Sequence, residues 1–332
     1  MKNLNQQFQS AGLFTLAIRW VIGWTYFSAF WRRLILDNKL IPEEAGYIGE
    51  KFNHFLPNAL GIKPLIEHLV LNPEQLQIAM VAFTIVEAIV GLFMILGLYT
   101  RLMSVGVFFL AMGILLGSGW IGTTCLDEWQ IGVLGIASGF ALFLTGSGYY
   151  SIDNFLLNKY PHLHQSNIFK WLGSGHLPKL ISKKTILLGS IFIFSLTLFT
   201  NQYFHGGVFG TLHNKSVRPK LELSNLVKKS SEITFEVYRV EGADVYGSFL
   251  IGIQLLDDAD RILKEWSGKD LAKFPLENIS NHYVAKIKPG KHSLIIPLGA
   301  KADITLHTDK VESVKTIKLI DISGLEWQLT VN

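Results

Sequence analysis

Five apolar stretches, residues 14–36, 77–98, 103–120, 130–147 and 185–203, constrain this chain more than any other feature. A helix that crosses the hydrocarbon core of a bilayer needs about 20 mostly apolar residues, and all five meet or approach that length. Hydrophobic residues make up 49% of the 332 and charged residues only 17%, against roughly 25% charged in soluble domains. That balance excludes a disordered chain, a coiled coil and an ordinary soluble enzyme. The net charge of +4 is too small, and too tied to membrane flanks, for a nucleic-acid binder. A single cysteine, Cys125, excludes an intramolecular disulfide and a cysteine-built cluster within one chain, and no metal site is predicted.

Details of the apolar half agree with a polytopic α-helical membrane protein, a four-helix bundle plus a fifth transmembrane helix. Gly23, Gly91, Gly106, Gly113 and Gly135 lie inside the runs, and Gly113/Gly117 and Gly135/Gly139 are small-residue pairs suited to helix interfaces. Tryptophan and tyrosine gather near the run ends, as in an interfacial aromatic belt. Lys2, Arg101, Lys159, Lys170, Lys179, Lys183 and Lys184 fall on one face, and lysines on the other are diluted by carboxylates. This bias predicts a cytoplasmic N-terminus. An odd number of spans then puts everything after residue 203 outside the cytoplasm.

Four segments are predicted: a four-helix membrane domain (1–158), a cytoplasmic linker (159–184), the fifth helix (185–203) and an extracytoplasmic β-rich domain (204–332). Lys183 and Lys184 ahead of the fifth run fit either an ordinary signal-anchor or the junction of a fusion. His162, His164 and His176 in the linker fit a solvated loop better than a metal site. Beyond about residue 220, period-two alternation predicts strands at 233–240, 248–256, 283–287, 293–297, 303–308, 315–322 and 326–331. Seven short strands suggest an all-β antiparallel sandwich with no nucleophile elbow or phosphate loop, hence a binding or docking module.

Ionisable groups inside the spans are the functional candidates. Arg19 lies in the first span and Glu87 near the middle of the second, with depths expected to differ by about 8–9 Å. They fit a structural ion pair, a snorkelling arginine, or a proton-handling site with a carboxylate in an apolar setting. Arg32 and Arg33 end the first span on the face that also carries Trp120, Cys125, Asp127 and Trp129. Guanidinium forks suit oxyanions. Cys125 is either an inert thiol or a nucleophile, and Asp127 and Glu128 are either site residues or partners of the arginines.

Three stretches carry a family resemblance: Arg19-Trp-Val-Ile-Gly-Trp24; the run from Glu87 through Gly91 and Gly97 to Arg101; and Cys125-Leu-Asp-Glu-Trp-Gln-Ile-Gly132 followed by Gly146-Ser-Gly-Tyr-Tyr-Ser-Ile-Asp153. Residues 10–158 resemble the DoxD subunit of thiosulfate:quinone oxidoreductase, a relative of the DoxX-like four-helix membrane proteins. The fifth span and the β domain are similar in layout to the companion DoxA subunit. The resemblance implies oxidation of thiosulfate, or a related sulfur anion, to tetrathionate, with membrane quinone as electron acceptor. On that reading Cys125 and Glu87 are catalytic, Arg32, Arg33, Asp127 and Trp120 bind substrate, and Trp24, Trp129 and Arg19 border the quinone. The rival reading is a non-enzymatic DoxX-like scaffold whose β domain docks a redox or assembly partner. Whether the chain forms a homo-oligomer stays open.

Overall fold

The computed structural model describes residues 2–42, 44, 46–122, 127–178, 181–243 and 248–330. They form two compact units, a helical one and a β-rich one.

The helical unit starts with α1 (Lys2–Phe14) and α2 (Leu16–Phe30), bent by 56° at Thr15, and α2 runs on into a π turn, Trp31–Ile35. Next come α5 (Pro73–Leu96), α6 (Thr100–Ser118) and α7 (Asp127–Thr145); the short helices α8 (Ile152–Lys159) and α9 (Asn167–Leu172) precede α10 (Lys183–His205). Four of these helices, α5, α6, α7 and α10, are long and apolar enough to cross a membrane, and the bent pair, taken as one broken span, brings the number to five. Only a helix satisfies its own backbone in hydrocarbon, so such runs have no other stable form there. The bundle core joins Tyr26, Val90, Met94, Met103, Val107, Leu110 and Leu142.

Small residues set the helix spacing. A Cβ on Gly91 would overlap the Phe27 backbone, and Gly23 abuts Gly91 in return, so α2 and α5 nearly touch. Gly135 and Gly139 meet α6 at Ala111 and Ser104, at an interface as the sequence predicts. Gly113 meets nothing within 4 Å; its face of α6 points outward. The α10 helix leans on α7 where Gly189 meets the Phe140 ring and Trp129 Nε1 donates to Thr200 Oγ1 at 3.0 Å. Only 6% of its most apolar window is buried. Leu188, Phe192 and Phe194 are exposed, a surface that lipid covers and water would not tolerate.

The second unit is a sandwich of two antiparallel sheets. One sheet has the order β1 (Lys220–Lys228), β2 (Glu232–Glu241), β8 (Lys301–His307) and β5 (Ile279–Asn281). The other runs β10 (Glu326–Thr330), β9 (Thr316–Asp321), β3 (Ser248–Leu256), β7 (Leu294–Ile296) and β6 (Lys288–Pro289), with β4 (Ile262–Ser267) also pairing β3. Ile233, Phe235, Val237, Ile304 and Leu306 from one sheet meet Ile253, Leu255, Leu294, Ile317 and Leu319 from the other. A single turn, α11 (Gly268–Leu271), follows β4. The predicted strand at 283–287 is coil. Its backbone donors are drawn to side chains instead of a ladder: Ala285 N to Asn53 Oδ1 at 3.1 Å and Ile287 N to Asn281 Oδ1 at 2.7 Å. Strands β1 and β4 lie where alternation is broken by bulges or covers few residues.

The sandwich takes in two distant stretches, 49–76 and 120–122. Helices α3 (Glu50–Phe55) and α4 (Lys63–Leu71) form a second small core of Leu56, Ala59, Ile66 and Val70 against Tyr283. Asn53 is fully buried and donates to Gly299 O at 3.1 Å. Gly299 has φ +73, and a Cβ there would overlap the Asn53 carbonyl, so only glycine fits. Asn58 Nδ2 donates to Val240 O at 2.9 Å, and Trp120 Nε1 to Phe55 O at 3.1 Å. Ser216 Oγ bridges both backbone groups of Gly122.

Glu236, His282 and Asp303 gather within 4.8 Å of one another on this unit, and Lys301 Nζ lies 3.0 Å from Glu236 Oε2. Desolvation pushes the Glu236 carboxyl up, but hydrogen bonds from Lys301 and Ser224 and the charges of Lys301 and His282 outweigh it and hold it below the usual range. A depressed carboxylate stabilises the fold above its unfolded pKa and loses that contribution as pH falls through the native one. Glu236→Gln should therefore lower Tm near neutrality, and its gap to the unmodified protein should narrow between about pH 7 and about pH 3. A constant gap would show that the carboxylate charge contributes nothing.

Candidate functional site

Charged groups of the helical unit sit at its two ends, and the two ends do different work. At the end formed by residues 97–101 and 146–175, the chain builds a buried polar knot. Asp153, fully buried, accepts from Tyr99 N at 2.8 Å, Thr100 N at 3.1 Å, Thr100 Oγ1 at 2.9 Å and Ser174 Oγ at 2.7 Å. It thereby caps the N-terminus of α6, where free amides and the helix dipole favour an anion. Arg101, also fully buried, donates to Phe143 O, Lys170 O, Gly173 O and Gly175 O. Arg19 donates to Ser147 O at 2.8 Å and Tyr150 O at 2.5 Å. The two arginines thus fill carbonyls left open beyond the end of α7. Gly97, at φ +65, lets the Arg19 guanidinium pass where a Cβ would collide. The densest motif in the sequence, residues 146–153, therefore serves structure at this end.

The opposite end holds a buried ion pair. Glu87 on α5 is 4% exposed and pairs with Arg33, Nη1 to Oε2 at 2.5 Å. The same Nη1 donates to Thr84 Oγ1 at 3.1 Å, and the guanidinium lies 5.7 Å from the centre of the Phe83 ring. The π turn widens the helix by one residue where Arg32 and Arg33 stand. Such insertions re-aim side chains at functional sites. Arg33 faces α5, while Arg32 is exposed and donates from Nε to Ser28 O at 3.3 Å.

Helix register explains the partner choice. The Gly91 contact sets Phe27 level with Gly91, so Glu87 and Arg33 differ in depth by about 3 Å, and Glu87 and Arg19 by about 18 Å. The expected separation of about 8–9 Å assumed spans with aligned starts; in the structure they are offset, and an Arg19–Glu87 pair is out of reach.

Beside the Arg33–Glu87 pair lies a cleft of about 450 Å³ between residues 34–42 and α5. Leu34, Leu40, Val81 and Ile85 form apolar walls, and Asn38, Gln77 and Thr84 supply polar groups. Its size is that of a small-molecule site. Gln77 Nε2 donates to Leu40 O at 2.9 Å and Tyr47 donates to Gln77 Oε1 at 3.3 Å, which fixes the segment over the helix.

The other sequence-predicted residues are dispersed. Trp24 is exposed on the outer surface of α2. Trp129 is tied to Thr200, and Asp127 is exposed in the first turn of α7. Trp120 is buried within the β-rich unit. Cys125 lies outside the described residues. Asn38, Gln77 and Thr84 were missed by sequence reasoning; short polar side chains at a span end carry no sequence pattern that separates them from ordinary interface residues.

A membrane-embedded helical unit with a buried ion pair, followed by an all-β unit, defines a two-part membrane protein. The family model described as TQO small subunit DoxD matches residues 14–196, and the one described as TQO small subunit DoxA matches residues 204–330. The chain belongs to the DoxD family and carries a DoxA region on the same polypeptide; both are subunit families of thiosulfate:quinone oxidoreductase. The DoxD match runs through the linker into α10, and the DoxA match begins near its end. No solved structure matches the chain.

Substitutions at Asp153 and at the Arg33–Glu87 pair test the two ends. Asp153→Ala strips partners from buried amides and hydroxyls, each worth about 1–3 kcal/mol when left unmade. It should lower the unfolding temperature of the detergent-solubilised protein well below that of Asp153→Asn; equal stability of both would contradict the capping role. Removing one member of a buried ion pair costs about 3–5 kcal/mol because the other charge is stranded. Arg33→Met should therefore destabilise more than the double variant Arg33→Met/Glu87→Gln. A double variant as unstable as the sum of the singles would break the pairing.

Proposed function

We propose that this protein is a thiosulfate:quinone oxidoreductase of a prokaryotic cytoplasmic membrane. Two thiosulfate dianions give one tetrathionate, and the two electrons released, with two protons, reduce one membrane quinone to its quinol. The observation that carries this reading is the buried Arg33–Glu87 pair with the exposed Arg32 one residue away. Glu87 can accept a proton, pass it to a quinone that takes up electrons, and return to the carboxylate that pairs with Arg33. An exposed guanidinium beside it suits a sulfur oxyanion. The tandem DoxD and DoxA matches supply the reaction class.

The thiol chemistry runs through Cys125. Its thiolate and one thiosulfate join through a new S–S bond as two electrons leave to quinone. The second thiosulfate then displaces the cysteine sulfur, which restores the thiolate and releases tetrathionate. The N-terminus lies in the cytoplasm and the β domain outside, following the lysine and arginine bias. Arg33 breaks that bias at little cost, because Glu87 neutralises it.

Purified protein should reduce a short-chain quinone only when thiosulfate is present, and Cys125→Ser should abolish turnover. Activity surviving both Cys125→Ser and Cys125→Ala would end the adduct route and leave the overall reaction standing. No thiosulfate-dependent reduction by protein that remains folded would favour the scaffold reading.

A further inference from the structure

We propose that the cleft between residues 34–42 and α5 is the quinone headgroup site, entered sideways from the lipid. The inference deepens the oxidoreductase reading and rests on it for the identity of the ligand.

Access is the first argument. Val81 and Ile85 line the cleft and are 37% and 50% exposed on a helix whose outward face is apolar. That side of α5 meets hydrocarbon, so an apolar molecule dissolved in the bilayer reaches the cleft without crossing water, and a hydrated anion does not. A cleft of about 450 Å³ accommodates a substituted quinone ring, and a prenyl tail would leave past Ile85 into the lipid.

Polarity is the second argument, and it separates a quinone from a lipid chain. Gln77 and Thr84 already have protein partners, but an acyl chain would lie against Asn38 without satisfying its amide hydrogens, at a cost for the polar group it desolvates. A quinone carries two carbonyl oxygens at opposite ring ends. Asn38 uses its Oδ1 to accept from Leu40 N at 3.2 Å, and its amide hydrogens have no described partner, so it offers a donor to one carbonyl. The other end of the ring meets Thr84, whose hydroxyl already accepts from Arg33 Nη1 and donates to Met80 O at 2.7 Å. Behind Thr84 the guanidinium places positive charge where an oxygen becomes electron-rich on reduction.

The cleft of about 320 Å³ lined by Phe140, Phe143, Leu144, Trp171, Ile181, Thr185 and Ile186 has Thr185 and the Trp171 indole as the polar side-chain groups of its lining. It is the natural competitor in the test.

Photolabelling reads occupancy without turnover. Full-length protein in nanodiscs is irradiated with azido-substituted short-chain ubiquinone and menaquinone analogues, and labelled peptides are mapped. Label within residues 34–42 and 77–85 that an excess of the parent quinone removes is the expected result. Label confined to the α7–α10 cleft, or label at 34–42 and 77–85 that a photoactivatable phospholipid reproduces and quinone does not displace, overturns the proposal.

Kinetics supply the second reading. Val81→Trp and Ile85→Trp fill the cleft and should each raise the apparent KM for quinone by about tenfold, with the thiosulfate requirement unchanged. Ile78→Trp, on the same helix but outside the cleft, should leave both unchanged. An unaltered quinone KM in both cleft variants, each shown to be folded by its unfolding temperature, also overturns the proposal. Competed labelling of the cleft in a protein without thiosulfate-dependent activity would sink the oxidoreductase reading and leave the quinone site standing.

Discussion

A charge placed in hydrocarbon must be answered by the protein that carries it there. In the helical unit Arg19 and Arg101 are answered by carbonyls, Asp153 by amides and hydroxyls, and Glu87 by Arg33. The first three answers tie helix ends to the segments that follow them, so the ends of α6 and α7 and the linker near residue 175 share one network. The fourth answer is different in kind. It joins the middle of one span to the end of another, and it leaves a cleft alongside.

That difference separates rigidity from chemistry. Asp153 and Arg101 each make four hydrogen bonds in the knot, which makes it costly to rearrange and poorly suited to exchange protons. The Arg33–Glu87 pair has one salt bridge and one neighbouring hydroxyl, beside open volume. The π turn supplies the placement, since a regular α-helical turn would aim Arg33 along a different face.

Much of the architecture is legible from periodicity alone. Long apolar runs mark α2, α5, α6, α7 and α10, and alternation marks β2, β3, β8, β9 and β10, because both patterns follow from burying one face of a regular element. Glu87 and Arg33 stand out in sequence as charges in apolar surroundings. Their pairing does not, because it depends on a helix offset set by Gly23 and Gly91 and on a π turn that has no composition of its own. The strand expected at 283–287 fails for a related reason. Its alternation is real, yet Asn53, more than two hundred residues away, captures the backbone. Recruitment of residues 49–76 into the β-rich unit is likewise a long-range event, invisible to any local window.

That recruitment has a consequence for how the chain is made. Leu56, Ile66 and Val70 emerge from the ribosome long before Tyr238 and Tyr283, the residues that cover them. Throughout that interval an apolar surface waits for strands that do not yet exist, a contact of very high sequence separation and hence slow closure. The unit is assembled from stretches that long apolar helices separate in sequence, so it can close only after those helices have been synthesised. A truncation within the last strands would thus leave a fault at residue 56 as well as at the break.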